Sequence, residues 1–131
     1  MPVLDLERMA AYLRGREDIA AAYLFGSARD GRVRTGGDVD IAVLYRTPPQ
    51  PAQILQTVSE LVDLTGIERI DHVTLNSAHA ITAVEALRGH RLCCNDAEAL
   101  ATCFSLACRA YEDDMAQIGR QRAWAAAART D

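Results

Sequence analysis

The strongest constraint in this sequence is a pair of apolar runs joined through one short polar loop. Ile19 to Phe25 stops at Gly26-Ser27, ten residues follow, and Asp38-Val39-Asp40 opens a second run that reaches Tyr45. An apolar run of this length, ended by Gly-Ser, reads as a buried strand entering a tight turn. The second run alternates: Val39, Ile41 and Val43 take one face, and Asp38, Asp40, Ala42 and Leu44 take the other. Between them, Ala28 to Gly37 reads as a short helical turn followed by a loop.

The remainder of the chain supplies helices around these strands. Leu4 to Leu13 carries Leu4, Leu6, Met9, Ala10 and Leu13 at helical spacing, and Gly15 ends it. After the break at Thr47-Pro48-Pro49-Gln50-Pro51, a helix is expected from Ala52 to Leu64. Its apolar face would be Ile54, Leu55, Val58, Leu61 and Val62, with Thr65-Gly66 closing it. Ile70 to Leu75 reads as a strand, Ile81 to Leu87 as a helix and Arg91 to Cys94 as a short strand. Asp96 caps a final helix running to about residue 128. Helices alternating with strands imply a sheet with helices packed on it, an α+β fold with a mixed sheet of about four strands.

Length and charge narrow the function classes. The 131 residues fit a single domain, 1–131, and an apolar half with about a quarter charged is ordinary folded composition. A formal net charge of -4 argues against broad electrostatic binding to nucleic acid. No stretch reads as a signal peptide or a membrane span, so no membrane association is expected. Cys93, Cys94, Cys103 and Cys108 have no zinc spacing and form a poor disulfide framework, which suits reduced thiols in the cytoplasm.

The two loop-flanking motifs carry the chemistry. Two residues apart on a strand, Asp38 and Asp40 would share a face with Cα atoms roughly 6.5 Å apart. Carboxylates that close repel each other, and a divalent cation removes the conflict. Magnesium takes oxygen ligands, typically one or two carboxylates together with substrate phosphates. Gly26 and Ser27 would present backbone N–H groups and a hydroxyl to an anion, with no Cβ at Gly26 to obstruct it. Arg29, on the same turn, is a further phosphate contact. A third carboxylate is needed for a second metal near the attacking group, and Asp71, near the start of the next strand, is the candidate. It would ligate metal, take the nucleophile's proton, or both.

The spacing Gly26-Ser27, ten residues, Asp38-Val39-Asp40 resembles the signature of the DNA polymerase β-like nucleotidyltransferase superfamily. The run from Tyr23 to Gly31 and on through Ile41 to Leu44 is similar to its minimal members, and the likeness continues through Ile70 to Asn76 and Ala86 to Leu92. Among these, the chain looks closest to MntA-like antitoxins paired with HEPN-domain RNase toxins. The resemblance implies a polymerase β-like fold with a long C-terminal helix. It also implies two Mg2+ ions, ATP as substrate, and transfer of AMP to a tyrosine of the HEPN partner in a hetero-oligomeric complex. It assigns Gly26 and Ser27 to the triphosphate and Asp38, Asp40 and Asp71 to metal and catalysis. Two positions depart from the pattern: Gly37 stands in the nucleotide-binding stretch where the family usually has Ser, and Thr74 stands where a second Asp is common.

Other residues have plainer readings. Arg32 and Arg34 read equally as a solvated loop or as a phosphate-facing patch. His72 should point away from Asp71 by strand alternation and pack, and His79 and His90 read as structural. Cys103 and Cys108 read as small apolar fillers. On the last helix Ala97, Ala101, Phe104, Cys108, Tyr111, Met115 and Ile118 make one apolar stripe. Such a helix, roughly 50 Å long, would project past a core of about 14 Å radius of gyration; its distal part reads equally as a surface that offers Trp124 to a partner or as a frayed Ala-rich tail, Ala125 to Ala128, with none. Two competing functions remain: a nucleotidyltransferase for a small molecule such as an aminoglycoside, and a toxin-binding module without catalysis.

Overall fold

The computed structural model describes residues 3–129. In chain order the elements are α1 (Leu6–Arg14), β1 (Ile19–Phe25), a 3-10 turn (Gly26–Ala28) and β2 (Val39–Tyr45). There follow α2 (Pro51–Thr65), β3 (Ile70–Thr74), α3 (Ala80–Leu87), β4 (His90–Cys94) and α4 (Ala97–Ala128). The strands form one mixed sheet in the order β3-β2-β1-β4, with β2 and β3 parallel and the other two pairs antiparallel. The parallel pair needs a crossover, and α2 provides it.

The central strands are covered on both faces, which is why β1 is apolar along its whole length. On one face Ile19, Leu24, Val39, Ile41, Val43 and Tyr45 pack with Met9 and Leu13 of α1 and Leu61 of α2. On the other, Tyr23, Phe25, Ala42 and Leu44 pack with Ala83, Val84 and Leu87 of α3 and Leu100 and Ala107 of α4. The register between β1 and β2 slips by one residue between Ile19 and Ala21. Ala20 and Ala21 therefore join the same face, and the strict alternation expected of a strand resumes only beyond them.

A partly buried polar chain ties α1 and α2 to the sheet. Arg16 makes a forked pair with Asp18, at 2.8 and 2.9 Å, and also donates to Tyr12 Oη and Thr57 Oγ1. Thr57 meets Tyr45 Oη at 3.0 Å, and Tyr45 Oη meets His72 Nε2 at 3.0 Å. Among the described residues every buried side-chain polar atom has a partner.

Several expectations are corrected. α1 starts at Leu6, because the Asp5 side chain caps it through the amide of Arg8; Leu4 is buried ahead of the helix. On α2, Leu55 is 67 % exposed while Thr57 is fully buried, since its hydroxyl is satisfied by the polar chain just described. β2 begins at Val39, so Asp38 flanks the strand rather than belonging to it. On α4 the line that meets the sheet and α3 is Leu100, Cys103, Ala107 and Tyr111. The expected stripe is offset from that line. Phe104 is 49 % exposed, and Ala97, Ala101 and Met115 face solvent. Periodicity locates an apolar stripe but cannot say which edge of it a neighbour will cover.

Candidate active site

Strand pairing builds the site. Phe25, the last residue of β1, pairs with Asp40, so the turn that follows it emerges beside that carboxylate. Gly26 has φ of +74°, and a Cβ there would overlap Asp40 Oδ2. The position therefore requires glycine twice over, for its left-handed backbone and for the space the carboxylate occupies. On the other side of β2, Asp40 stands in register with Asp71 of β3. Neighbouring strands lie roughly 4.8 Å apart, which brings both acids to one edge of the sheet.

Asp40 is the one residue of β2 that is not fully buried. Its partial burial raises its pKa, and the negative charges of Asp71, Asp38 and Glu85 push it further in the same direction. Asp38 and Asp71 are exposed. Among the described residues no three His, Cys, Asp or Glu side chains are gathered closely enough to hold a metal ion as they stand. The structure brings Asp40 and Asp71 together, with Asp38 at the margin and its charge felt by Asp40. Crowded carboxylates with open access, Asp40 among them with a raised pKa, fit a divalent cation, which would relieve their repulsion.

Ser27 is exposed on the turn beside this group. Arg29 caps the turn, its amide donating to Gly26 O at 3.3 Å, and its side chain is exposed. Gly37 donates its amide to Arg34 O at 2.8 Å, so it shapes the approach to Asp38 through a local turn. Thr74 ends β3, its carbonyl accepting from Ser77.

Three features escaped the sequence reading. The Arg34 guanidinium turns back to donate to the carbonyl of Ser27, and Arg69 Nη1 donates to Gly36 O at 3.0 Å. Glu85 adds a fourth carboxylate from α3. Gly89 packs where a Cβ would run into Leu24 O and Phe25 Cβ, directly behind the turn. None has a local signature, because each depends on which segments the sheet brings together. His72 and His79 make structural contacts, as expected. His72 bonds Tyr45, and His79 accepts from Ile81 N at the start of α3 while facing Asp114 of α4 at 3.5 Å. A cavity of about 490 Å³ lies between α3, α4 and the far end of β2, and touches none of Asp38, Asp40 or Asp71.

A Gly-Ser turn set against paired acids, at one edge of a helix-covered mixed sheet, is the scaffold of an enzyme that transfers nucleotidyl groups. The chain belongs to the polymerase beta, nucleotidyltransferase family, whose model matches residues 7–98. No curated protein matches it. Its fold is similar to solved toxin–antitoxin structures. A chain in a substituted MntA–HpeT complex has a TM-score of 0.69 at 20 % identity, covering 91 % of this chain and 99 % of that one. A chain in a toxin–antitoxin structure with AMP-PNP has a TM-score of 0.68 at 21 % identity, with coverage of 91 % and 99 %. A chain in the complex of tri-AMPylated Shewanella oneidensis HEPN toxin with MNT antitoxin has a TM-score of 0.60 at 20 % identity, covering 89 % and 96 %. Among the described residues no helix is long and apolar enough to cross a membrane.

Proposed function

We propose that this chain is a magnesium-dependent adenylyltransferase and an antitoxin, moving AMP from ATP to a tyrosine of a partner HEPN toxin. The observation that carries this reading is the in-register pair Asp40 and Asp71 with Gly26 packed against Asp40. The AMP-PNP in one similar structure and the AMPylated toxin in another support the nucleotide and the acceptor. Residues 1–131 act as a single domain. The four unpaired cysteines support a cytoplasmic setting.

Asp38, Asp40 and Asp71 would hold two Mg2+ ions. Bound there, the ions would neutralise charge on the triphosphate and lower the pKa of the acceptor hydroxyl. The Gly26–Ser27 turn and Arg29 would grip the outer phosphates and hold the α-phosphate over the acids. Asp71, exposed on the outermost strand, would face the incoming hydroxyl and accept its proton. The acceptor oxygen bonds to the α-phosphorus, the bond to the bridging oxygen breaks, and pyrophosphate leaves. The outer part of α4, where Met115 and Trp124 are exposed, is the surface assigned to the toxin.

Incubation with α-labelled ATP, magnesium and a HEPN partner tests the reading. Label on a partner tyrosine supports it. Label on an added aminoglycoside instead, or unlabelled inhibition that survives Asp38→Ala/Asp40→Ala, would replace it with small-molecule transfer or with binding alone.

A further inference from the structure

We propose that Arg34 and Arg69 are positioning residues. They clamp the ten-residue loop 28–37 at both ends, so the phosphate-gripping turn and the acids face each other before nucleotide arrives. The middle of the loop is anchored, with Ala28 and Val33 buried in the core and Gly31 O accepting from Leu4 N at 2.7 Å, but its ends have fewer such ties. The loop contains Gly31, Gly36 and Gly37, and two of these have positive φ. Pairing of Phe25 with Asp40 holds the strand ends together, but glycine-rich loop ends left free would let the Ser27 carbonyl and the approach to Asp38 drift in orientation.

Two guanidinium groups oppose that drift, one at each end. Arg34 reaches back seven residues to the carbonyl of Ser27, which fixes the orientation of the turn. Arg69 lies just before β3, and its side chain holds Gly36 O while its own carbonyl accepts from Val39 N at 2.9 Å. That double link joins the residues on either side of Asp38 to the strand that carries Asp71. Among the described residues neither arginine has a carboxylate within salt-bridge distance, so neither is committed to an ion pair. A charged donor on a carbonyl makes a stronger bond than a neutral one. Among the described residues Arg34 spends one of its five N–H donors on Ser27 O, which brings positive charge to the turn.

The functional half of this proposal rests on the nucleotidyl-transfer reading of the site; the structural half does not. Hydrogen–deuterium exchange of the full chain without nucleotide tests the clamp. Arg34→Met and Arg69→Met should each speed exchange across 28–37 and leave β1 and β2 unchanged, and Arg34→Lys should restore part of the protection. Unchanged exchange in both Met variants would overturn the proposal. Calorimetry and kinetics then divide the roles. Arg34→Met should weaken pyrophosphate and ATP binding by roughly tenfold, the size of one charge-assisted hydrogen bond, while AMP binding stays within about twofold. Arg69→Met should lower kcat with the apparent KM for ATP held. Equal losses for AMP and pyrophosphate in Arg34→Met would mean a merely structural role and would also overturn it. If the unsubstituted protein bound neither ATP nor pyrophosphate, the nucleotidyltransferase reading would fall while the exchange result still judged the clamp.

Discussion

Asp40 and Asp71 face each other across the parallel pair of the sheet, one residue past the start of each strand. Parallel pairing places the beginnings of both strands at the same edge, so two acids far apart in the chain meet where the β1 turn emerges. Folding thus concentrates like charges at a place where nothing in the fold itself needs them. Groups arranged against the stability of their own fold are a mark of a working site.

This arrangement predicts a trade between stability and activity at Asp40. Its pKa is raised by burial first and by Asp71, Asp38 and Glu85 next. The folded chain therefore holds this proton more tightly than the unfolded chain. Its favourable contribution is present below the ordinary carboxylate pKa and is lost as pH rises through the raised value. Asp40→Asn should raise the neutral-pH Tm of the free protein and flatten that part of the pH profile. The same variant should lose about 100-fold or more in transfer rate. A lowered Tm with full activity would contradict both statements.

Gly26→Ala should fail for a different reason. The substitution forces a side chain into left-handed backbone, at about 1–3 kcal/mol, and its methyl displaces the Asp40 carboxylate. Transfer should drop while urea unfolding shows a loss of that size.

Two other glycines should respond in opposite directions to alanine. At Gly89 the new Cβ meets backbone and Cβ atoms of Leu24 and Phe25, which cannot swing aside. A loss of about 1–3 kcal/mol is expected from overpacking. At Gly119, inside α4 with nothing within 4 Å, alanine should gain up to about 1 kcal/mol from helix propensity. Chemical denaturation of the two variants side by side checks the contrast.

Acid should weaken the Arg16–Asp18 tie. The hydrogen bonds from Arg16 hold the Asp18 pKa below its ordinary value, with Gln53 adding to the effect. This contribution is present above the ordinary aspartate pKa and is lost as pH falls through the lowered one. Asp18→Asn should cost about 1–2 kcal/mol at neutral pH and little at low pH, where the native carboxylate is itself protonated. Unfolding curves at both pH values measure the difference.

Deleting residues 120 onward should leave the fold intact, because α4 is exposed from Gly119 through Arg129. Tm should stay nearly constant while the complex proposed with a HEPN toxin weakens. A complex of undiminished affinity would remove this part of α4 from the interface.

The chain alone determined a good deal. β1 spans the run Ile19 to Phe25, because strand length, apolar content and the Gly-Ser stop are local properties. Gly66 closes α2 with φ of +72°, and Asp96 caps α4, both through short-range backbone chemistry that a sequence displays openly. Asp38, Asp40 and Asp71 were visible as acids at strand starts. Only the tertiary structure decided that Asp71 lies opposite Asp40 and that Gly26 presses on its carboxylate. It alone sent Arg34 and Arg69 to the loop carbonyls, and turned α4 so that Leu100 and Ala107, rather than Phe104 and Met115, reach the core. Those outcomes follow from strand order, register and helix rotation. Each is set by how all the apolar faces are buried at once, and no short stretch of sequence carries that information.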